Sequence, residues 1–232
     1  IEYSAFFDCT SLTSVVIPSN VTDIGYAAFD GCTSLTSIVV KEGNSVFDSR
    51  ECCNAIIETA TNTLIKGCNS TIIPSNVTKI GESAFQDCTS LTSIEIPSSV
   101  TKIEYGAFFD CTSLTSIVVK EGNSVYDSRE GCNAIIETAT NKLIQGFNST
   151  IIPEGVTKIG QSAFDGCSSL KSVVIPSSVT EIGEYAFSGS SLTSIEIPSG
   201  VTKIRNSAFF RCTSLTNIVI PESVKVIGGY AF

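Results

Sequence analysis

IPSSVTKIEYGAFFDCTSLTSI, residues 96–117, is one copy of a motif that the whole chain restates. Its tail, CTSLTSI, stands at 32–38, 88–94 and 111–117, and returns as CTSLTSV from Cys9 and CTSLTNI from Cys212. The Ala-Phe pair marks the register, with Phe6, Phe29, Phe85, Phe108, Phe164, Phe187, Phe209 and Phe232 spaced by 23, 56, 23, 56, 23, 22 and 23 residues. The unit is therefore 23 residues long, and each interval of 56 carries an extra segment. A unit of this size cannot bury an apolar face alone, so it must stack on its neighbours. Repetition is the architecture.

Within the unit, LTSIEIP (91–97) reads as a short strand with Leu91, Ile94 and Ile96 turned inward. Pro97 ends the pairing because it has no N–H. VTKIG supplies a second extended piece, with Val77 and Ile80 inward and Gly81 turning the chain. SAFQDC (83–88) reads as a turn of α- or 3₁₀-helix facing Phe85 and Cys88 inward. The extra segment is itself repeated: residues 38–88 and 117–167 differ at ten of 51 positions. In NAIIETATNTLIKG (54–67), two β-type runs flank Thr-Ala-Thr-Asn, the pattern of a four-residue hairpin loop. The expectation is one solenoid over 1–232, with hairpin insertions near 43–69 and 122–148 that leave the solenoid and protrude. A lone two-stranded hairpin is marginal, so these are expected to be less stable than the rungs.

Composition removes several function classes. Lys plus Arg total 14 against 23 Asp plus Glu, a net charge of −9, which suits neither nucleic acid nor an anionic membrane surface. No apolar run approaches the roughly 20 residues that span a bilayer. The chain opens inside the motif at IEYSAFFDC and stops inside it at IGGYAF, as a piece cut from a longer array would.

The unit at 96–117 resembles the BspA-type leucine-rich repeats of bacterial and protist surface proteins, and residues 54–74 resemble that family's hairpin-bearing unit. The likeness runs through the whole chain. It implies a mainly-β, right-handed leucine-rich solenoid with a parallel sheet on one face and short helical turns on the other. It also implies display at the cell surface or secretion, and non-enzymatic contact with host extracellular proteins or other cells. An alternative of another class is a structural spacer that stacks end to end. Sedimentation separates the two.

Ten cysteines and no histidine exclude Cys–His catalysis and mixed Cys/His zinc sites. There is no C-x-x-C pair, no G-x-S-x-G and no Gly-rich phosphate loop, and Glu95 and Glu196 lie several rungs apart. No enzyme, cofactor or metal is expected. Disulfides are open to a surface protein, but equivalent side chains in stacked rungs point in parallel and hold their Cβ atoms too far apart. Cys68 becomes Phe147 and Cys52 becomes Gly131 in the second copy of the insertion. Cysteine that exchanges with phenylalanine is packing as a small hydrophobe. The column Cys9, Cys32, Cys88, Cys111, Cys167 and Cys212 is expected to be buried and reduced.

Three groups remain as candidate sites. One outward residue per strand gives Val16, Val39, Ile72, Glu95, Val118, Ile151, Val174, Glu196 and Val219; seven of these nine are apolar and β-branched, where a solvated sheet face should be polar. Asn44, Asp48, Arg50 and Glu51 recur as Asn123, Asp127, Arg129 and Glu130. These read either as a cation or ligand site or as Asx turns fixed by an ion pair. Finally, Asn20, Asn69, Asn76 and Asn148 stand in N-x-[ST] sequons.

Overall fold

The computed structural model describes all 232 residues, the side chain of Glu130 excepted. It is a mainly-β repeat solenoid that divides into two compact units, Ile1–Leu114 with Lys120–Ser124, and Thr115–Val119 with Val125–Phe232.

In the first unit the strands Ser14–Ile17 and Ser37–Val40 pair in parallel, with Ser14 opposite Ser37 and Val16 opposite Val39. Their period of two turns Ile17 and Ile38 inward and leaves Val16 and Val39 in solvent. Ser93–Ile96 repeats the pattern with Ile94 and Ile96 buried. A second sheet orders five strands as Phe47–Asp48, Ile56–Glu58, Thr63–Lys66, Lys79–Ile80 and Lys102–Ile103.

The second unit is built alike. Ser194–Glu196 pairs in parallel with Asn217–Val219. Its larger sheet runs Tyr126–Asp127, Ala134–Glu137, Lys142–Gly146, Lys158–Ile159, Glu181–Ile182, Lys203–Ile204 and Val226–Ile227.

The Ala-Phe segments are not helices. In SAFQDC, Ser83 and Asp87 both have positive φ (53° and 63°), and overlapping turns replace a helical ladder. This geometry aims alternate N–H groups at the neighbouring turn: Ser83 donates to the Tyr105 carbonyl (3.2 Å), Phe85 to Ala107 (2.7 Å) and Asp87 to Phe109 (3.0 Å). A helix would have kept those donors for itself. Each regular turn is thus stitched to the next by a third ladder. Phenylalanines stack through it, Phe85 on Phe108 at 5.2 Å between centroids and Phe164 on Phe187 at 4.9 Å.

The hairpins exist, but they do not protrude. Thr63–Lys66 pairs antiparallel with Ile56–Glu58 on one side and parallel with Lys79–Ile80 on the other, so it is itself a rung of the sheet. Ile56, Ile57 and Leu64 are fully buried, as are Ile135, Ile136 and Leu143 in the second copy. Burying each such side chain contributes about 1.5–3 kcal/mol, which a hairpin standing in solvent would forgo. The expectation of a weak, separate hairpin is therefore overturned. Gly67 closes the insertion because a Cβ there would sit 2.4 Å from the Phe85 ring; Gly146 stands in the same relation to Phe164, at 2.2 Å.

The cysteine column is corrected at two places. Cys32, Cys88, Cys111 and Cys167 are buried, whereas Cys9 is exposed and Cys212 half-buried. Among the described residues no cysteine is disulfide-bonded. The thiols also bond across turns: Cys32 donates to the Phe6 carbonyl and Cys111 to Phe85 (3.2 Å each), and Cys212 to Phe187 (3.1 Å). Where the motif loses its cysteine, the buried Ser190 stands 3.3 Å from Cys212 Sγ.

Candidate binding surface

All nine residues expected on the outward face of the strands are exposed. The apolar seven range from 44% exposed at Val39 to 83% at Val174. In the first unit these are Val16, Val39 and Ile72 with Glu95; in the second, Val118, Ile151, Val174 and Val219 with Glu196. Val16, Val39, Glu95, Val118, Glu196 and Val219 lie in strands and alternate with inward residues, whereas Ile72, Ile151 and Val174 stand in segments that form no strand. Glu95 is held by Lys120 at 2.7 Å. Serines flank the row, with Ser93, Ser116, Ser172 and Ser194 exposed.

The oxygen-rich loops are scaffolding. Asn44 donates Nδ2 to the carbonyls of Pro18 (3.0 Å) and Val21 (2.9 Å), and its Oδ1 accepts the N–H of Val46 and Phe47. Asn123 bonds Pro97 and Val100 in the same way. Arg50 makes a forked pair with Asp48 and reaches Asn62 Oδ1 at 2.9 Å, and Arg129 does likewise with Asp127 and Asn141. The Asn and Asp oxygens of both loops are committed to these bonds, and no group of three His, Cys, Asp or Glu able to hold a metal occurs among the described residues. Glu51 is exposed; the side chain of Glu130 lies outside the described residues.

The sequons divide. Asn20 and Asn76 are exposed, while Asn69 and Asn148 are half-buried. Asn69 spends its amide nitrogen on the carbonyls of Thr33 (2.9 Å) and Leu35 (3.1 Å), and its oxygen accepts the Ser90 N–H. A glycan on that nitrogen would break the stitch, so Asn69 serves structure.

One cluster escaped sequence reasoning. Lys66, 6% exposed, places its ammonium 3.0 Å from the Gln86 carbonyl and 3.8 Å from the Asp30 carboxylate. Asp87 Oδ2 accepts the Gly31 N–H at 2.8 Å, reaching over the insertion. Burial pushes the Asp30 carboxyl up, Lys66 opposes that rise, and Asp87 adds to it. The signal in the sequence was faint: a single lysine in LIKG where the other copy reads LIQG.

A parallel-stranded solenoid with a 23-residue repeat, isoleucines inward and an open strand face defines a leucine-rich repeat protein. The profile of the BspA type leucine rich repeat region matches in six copies over residues 1–64, 63–137 and 134–232, and the chain belongs to that family. Among solved structures it is similar to a leucine rich cell surface protein of Faecalibacterium prausnitzii, at 28% identity and TM-score 0.56, over 99% of this chain and 73% of that one. The fold is shared with the pneumococcal vaccine antigen PcpA, at 21% identity and TM-score 0.63, over 94% of this chain and 47% of PcpA. It is shared too with a leucine-rich repeat protein of Eubacterium ventriosum, at 22% identity and TM-score 0.57, over 100% of this chain and 73% of that one. No curated protein matches the chain. No helix among the described residues is long and apolar enough to cross a membrane.

Proposed function

We propose that the chain is a non-enzymatic module, displayed at the cell surface or secreted, that binds protein through the outward face of its strands. The observation that carries this reading is the row of seven exposed β-branched side chains, four of them in strands, at positions where solvation favours polar residues. Membership of the BspA-type family and the likeness to a cell surface protein of Faecalibacterium prausnitzii support the location. The partner is an extracellular protein of a host or of a neighbouring cell. Burial raises the Cys53 and Cys88 thiols, so neither is a poised nucleophile, which favours binding over catalysis.

The test replaces Val118, Ile151 and Val174 together by Lys in the whole chain. These side chains stay outside the core, so the circular dichroism and melting curve should change little. The variant should lose partner capture from extracellular material by at least about tenfold, since each lysine puts a strongly hydrated charge into the contact. Full capture by a folded variant would remove the strand face from consideration. Concentration-dependent sedimentation of the wild-type chain without partner would favour end-to-end stacking instead.

A further inference from the structure

Within the first unit the third ladder is left incomplete beside the insertion. At a regular junction the donor wall of one turn meets the acceptor wall of the next, as Ser83, Phe85 and Asp87 do with Tyr105, Ala107 and Phe109. The corresponding donors of the preceding turn are Ala27, Phe29 and Gly31. Gly31 is satisfied by the Asp87 carboxylate. On the facing wall, the Ala84 carbonyl is taken by the Gly67 N–H (2.8 Å) and the Gln86 carbonyl by Lys66 Nζ. Among the described residues, the N–H groups of Ala27 and Phe29 and the carbonyl of Glu82 meet no partner. They border a cleft of about 130 Å³ lined by Ile24–Asp30, Ile65, Lys66, Glu82 and Ser83. Phe29 is 2% exposed and Ala27 half-buried, so an open donor at Phe29 costs what a buried one does, about 1–3 kcal/mol.

We infer that this cleft binds an extended stretch of polypeptide main chain, which enters as the missing half-rung. Ala27 and Phe29 are two residues apart and donate in one direction, and successive carbonyls on one side of an extended strand have that same two-residue period. The peptide N–H between those carbonyls faces the opposite wall and donates to Glu82. A single acetamido group, such as an amino sugar carries, satisfies one donor and leaves the other open. An anion is disfavoured, because Asp30, Lys66 and Glu82 sum to −1 along the lining. Ile24 and Ile65 give the side chains of the incoming strand an apolar floor. This is strand addition, on a turn ladder rather than on the strand face proposed above, and it stands or falls independently of that face.

The experiment uses the whole chain labelled with ¹⁵N and three probes at roughly millimolar concentration, where a small main-chain contact registers. These are acetyl-trialanine N-methylamide, the same peptide methylated on its backbone nitrogens, and N-acetylglucosamine. The first should shift the Ala27, Phe29 and Ser83 amides saturably and slow hydrogen exchange at Ala27 and Phe29 by about tenfold. The methylated peptide should do neither, having no hydrogen to give Glu82. Equal effects from the methylated peptide or from N-acetylglucosamine would overturn main-chain recognition. No effect from any probe would mean that water alone fills the cleft, and overturns it too.

Discussion

The two insertions share 41 of 51 residues, yet they close in different ways. The first ends on Lys66, buried and directed at Asp30 and the Gln86 carbonyl. The second has Gln145 in that place, donating Nε2 to the carbonyls of Gly146 (2.9 Å) and Ala163 (3.3 Å). The positions that hold Asp30 and Asp87 around the first are Phe109 and Gly166 around the second. One backbone therefore accepts either a buried ionic cluster or a neutral amide. Charge was not needed to close the turn. In the ionic version the ammonium, on its long stem, satisfies the Gln86 carbonyl and lines the cleft beside it.

The largest effect should come from removing the cation alone. Lys66→Met leaves the buried Asp30 carboxylate without its counter-charge and the Gln86 carbonyl without its donor, and should cost about 3–5 kcal/mol in urea unfolding. Gln145→Met loses neutral hydrogen bonds and should cost about 1–3 kcal/mol. Equal losses would mean that Lys66 acts as packing and that the comparison has no electrostatic content.

The pH dependence sharpens the same contrast. Because burial holds the Asp30 carboxyl above its ordinary value of 3.8, the native state binds a proton more tightly than the unfolded chain. Asp30 therefore contributes a rise in stability as pH falls through its raised value toward 3.8, and a loss as pH climbs back. Asp30→Asn should remove that component, leaving the dependence set by the other carboxylates. Asp165 is also raised by burial, so the difference between wild type and variant, rather than the raw curve, is the quantity to measure.

Thiol labelling gives a smaller, cleaner difference. Burial pushes the Cys88 thiol up to about 12 and Cys53 up to about 11, so neither offers thiolate near neutral pH. Iodoacetamide followed by mass spectrometry should tag Cys9 and Cys52 rapidly in the native chain, and all ten only after unfolding without reductant. The first insertion should thus carry one fast tag and the second, with Gly131 in that place, none. Rapid tagging at Cys68 would show that the closure around Lys66 opens.

The smallest effect is a null difference. Arg50→Lys and Arg129→Lys each lose the fork to aspartate and the reach to asparagine, and each should cost about 1 kcal/mol. A clear inequality would mean that the two loops differ in ways their shared geometry does not reveal.

Much of the fold was legible because the repeat restates it. The inward isoleucines, the outward valines and the ends of Ser14–Ile17 and Ser93–Ile96 at Pro18 and Pro97 follow from period two and from the missing proline N–H. The turns around Ala-Phe were misread as helix because φ at Ser83 and Asp87 is set by the ladder to the next turn, and neither residue advertises a left-handed backbone as glycine would. The hairpins were misplaced because pairing within NAIIETATNTLIKG is local, whereas its pairing with Lys79–Ile80 is not. Of the candidate surface, the outward row was readable from alternation alone. The Asp30–Lys66–Asp87 cluster was not, since it joins three segments that no spacing rule connects.

The phenylalanine stack runs Phe6 on Phe29, then resumes as Phe85 on Phe108 after Gly67. In a repeat array, cooperativity is the sum of couplings between adjacent turns. Gly67 brings no ring to the junction, so the coupling there rests on the apolar cluster that joins Phe29, Leu35 and Ile38 to Phe47, Ile56 and Cys68, with polar links from Gly67 to Ala84, Gly31 to Asp87 and Lys66 to Gln86 beside it. Polar links weaken with pH and denaturant in ways that stacked rings do not. The part of the coupling at the insertion that solvent and pH can alter is therefore its polar part, while the rings elsewhere in the stack are indifferent to both.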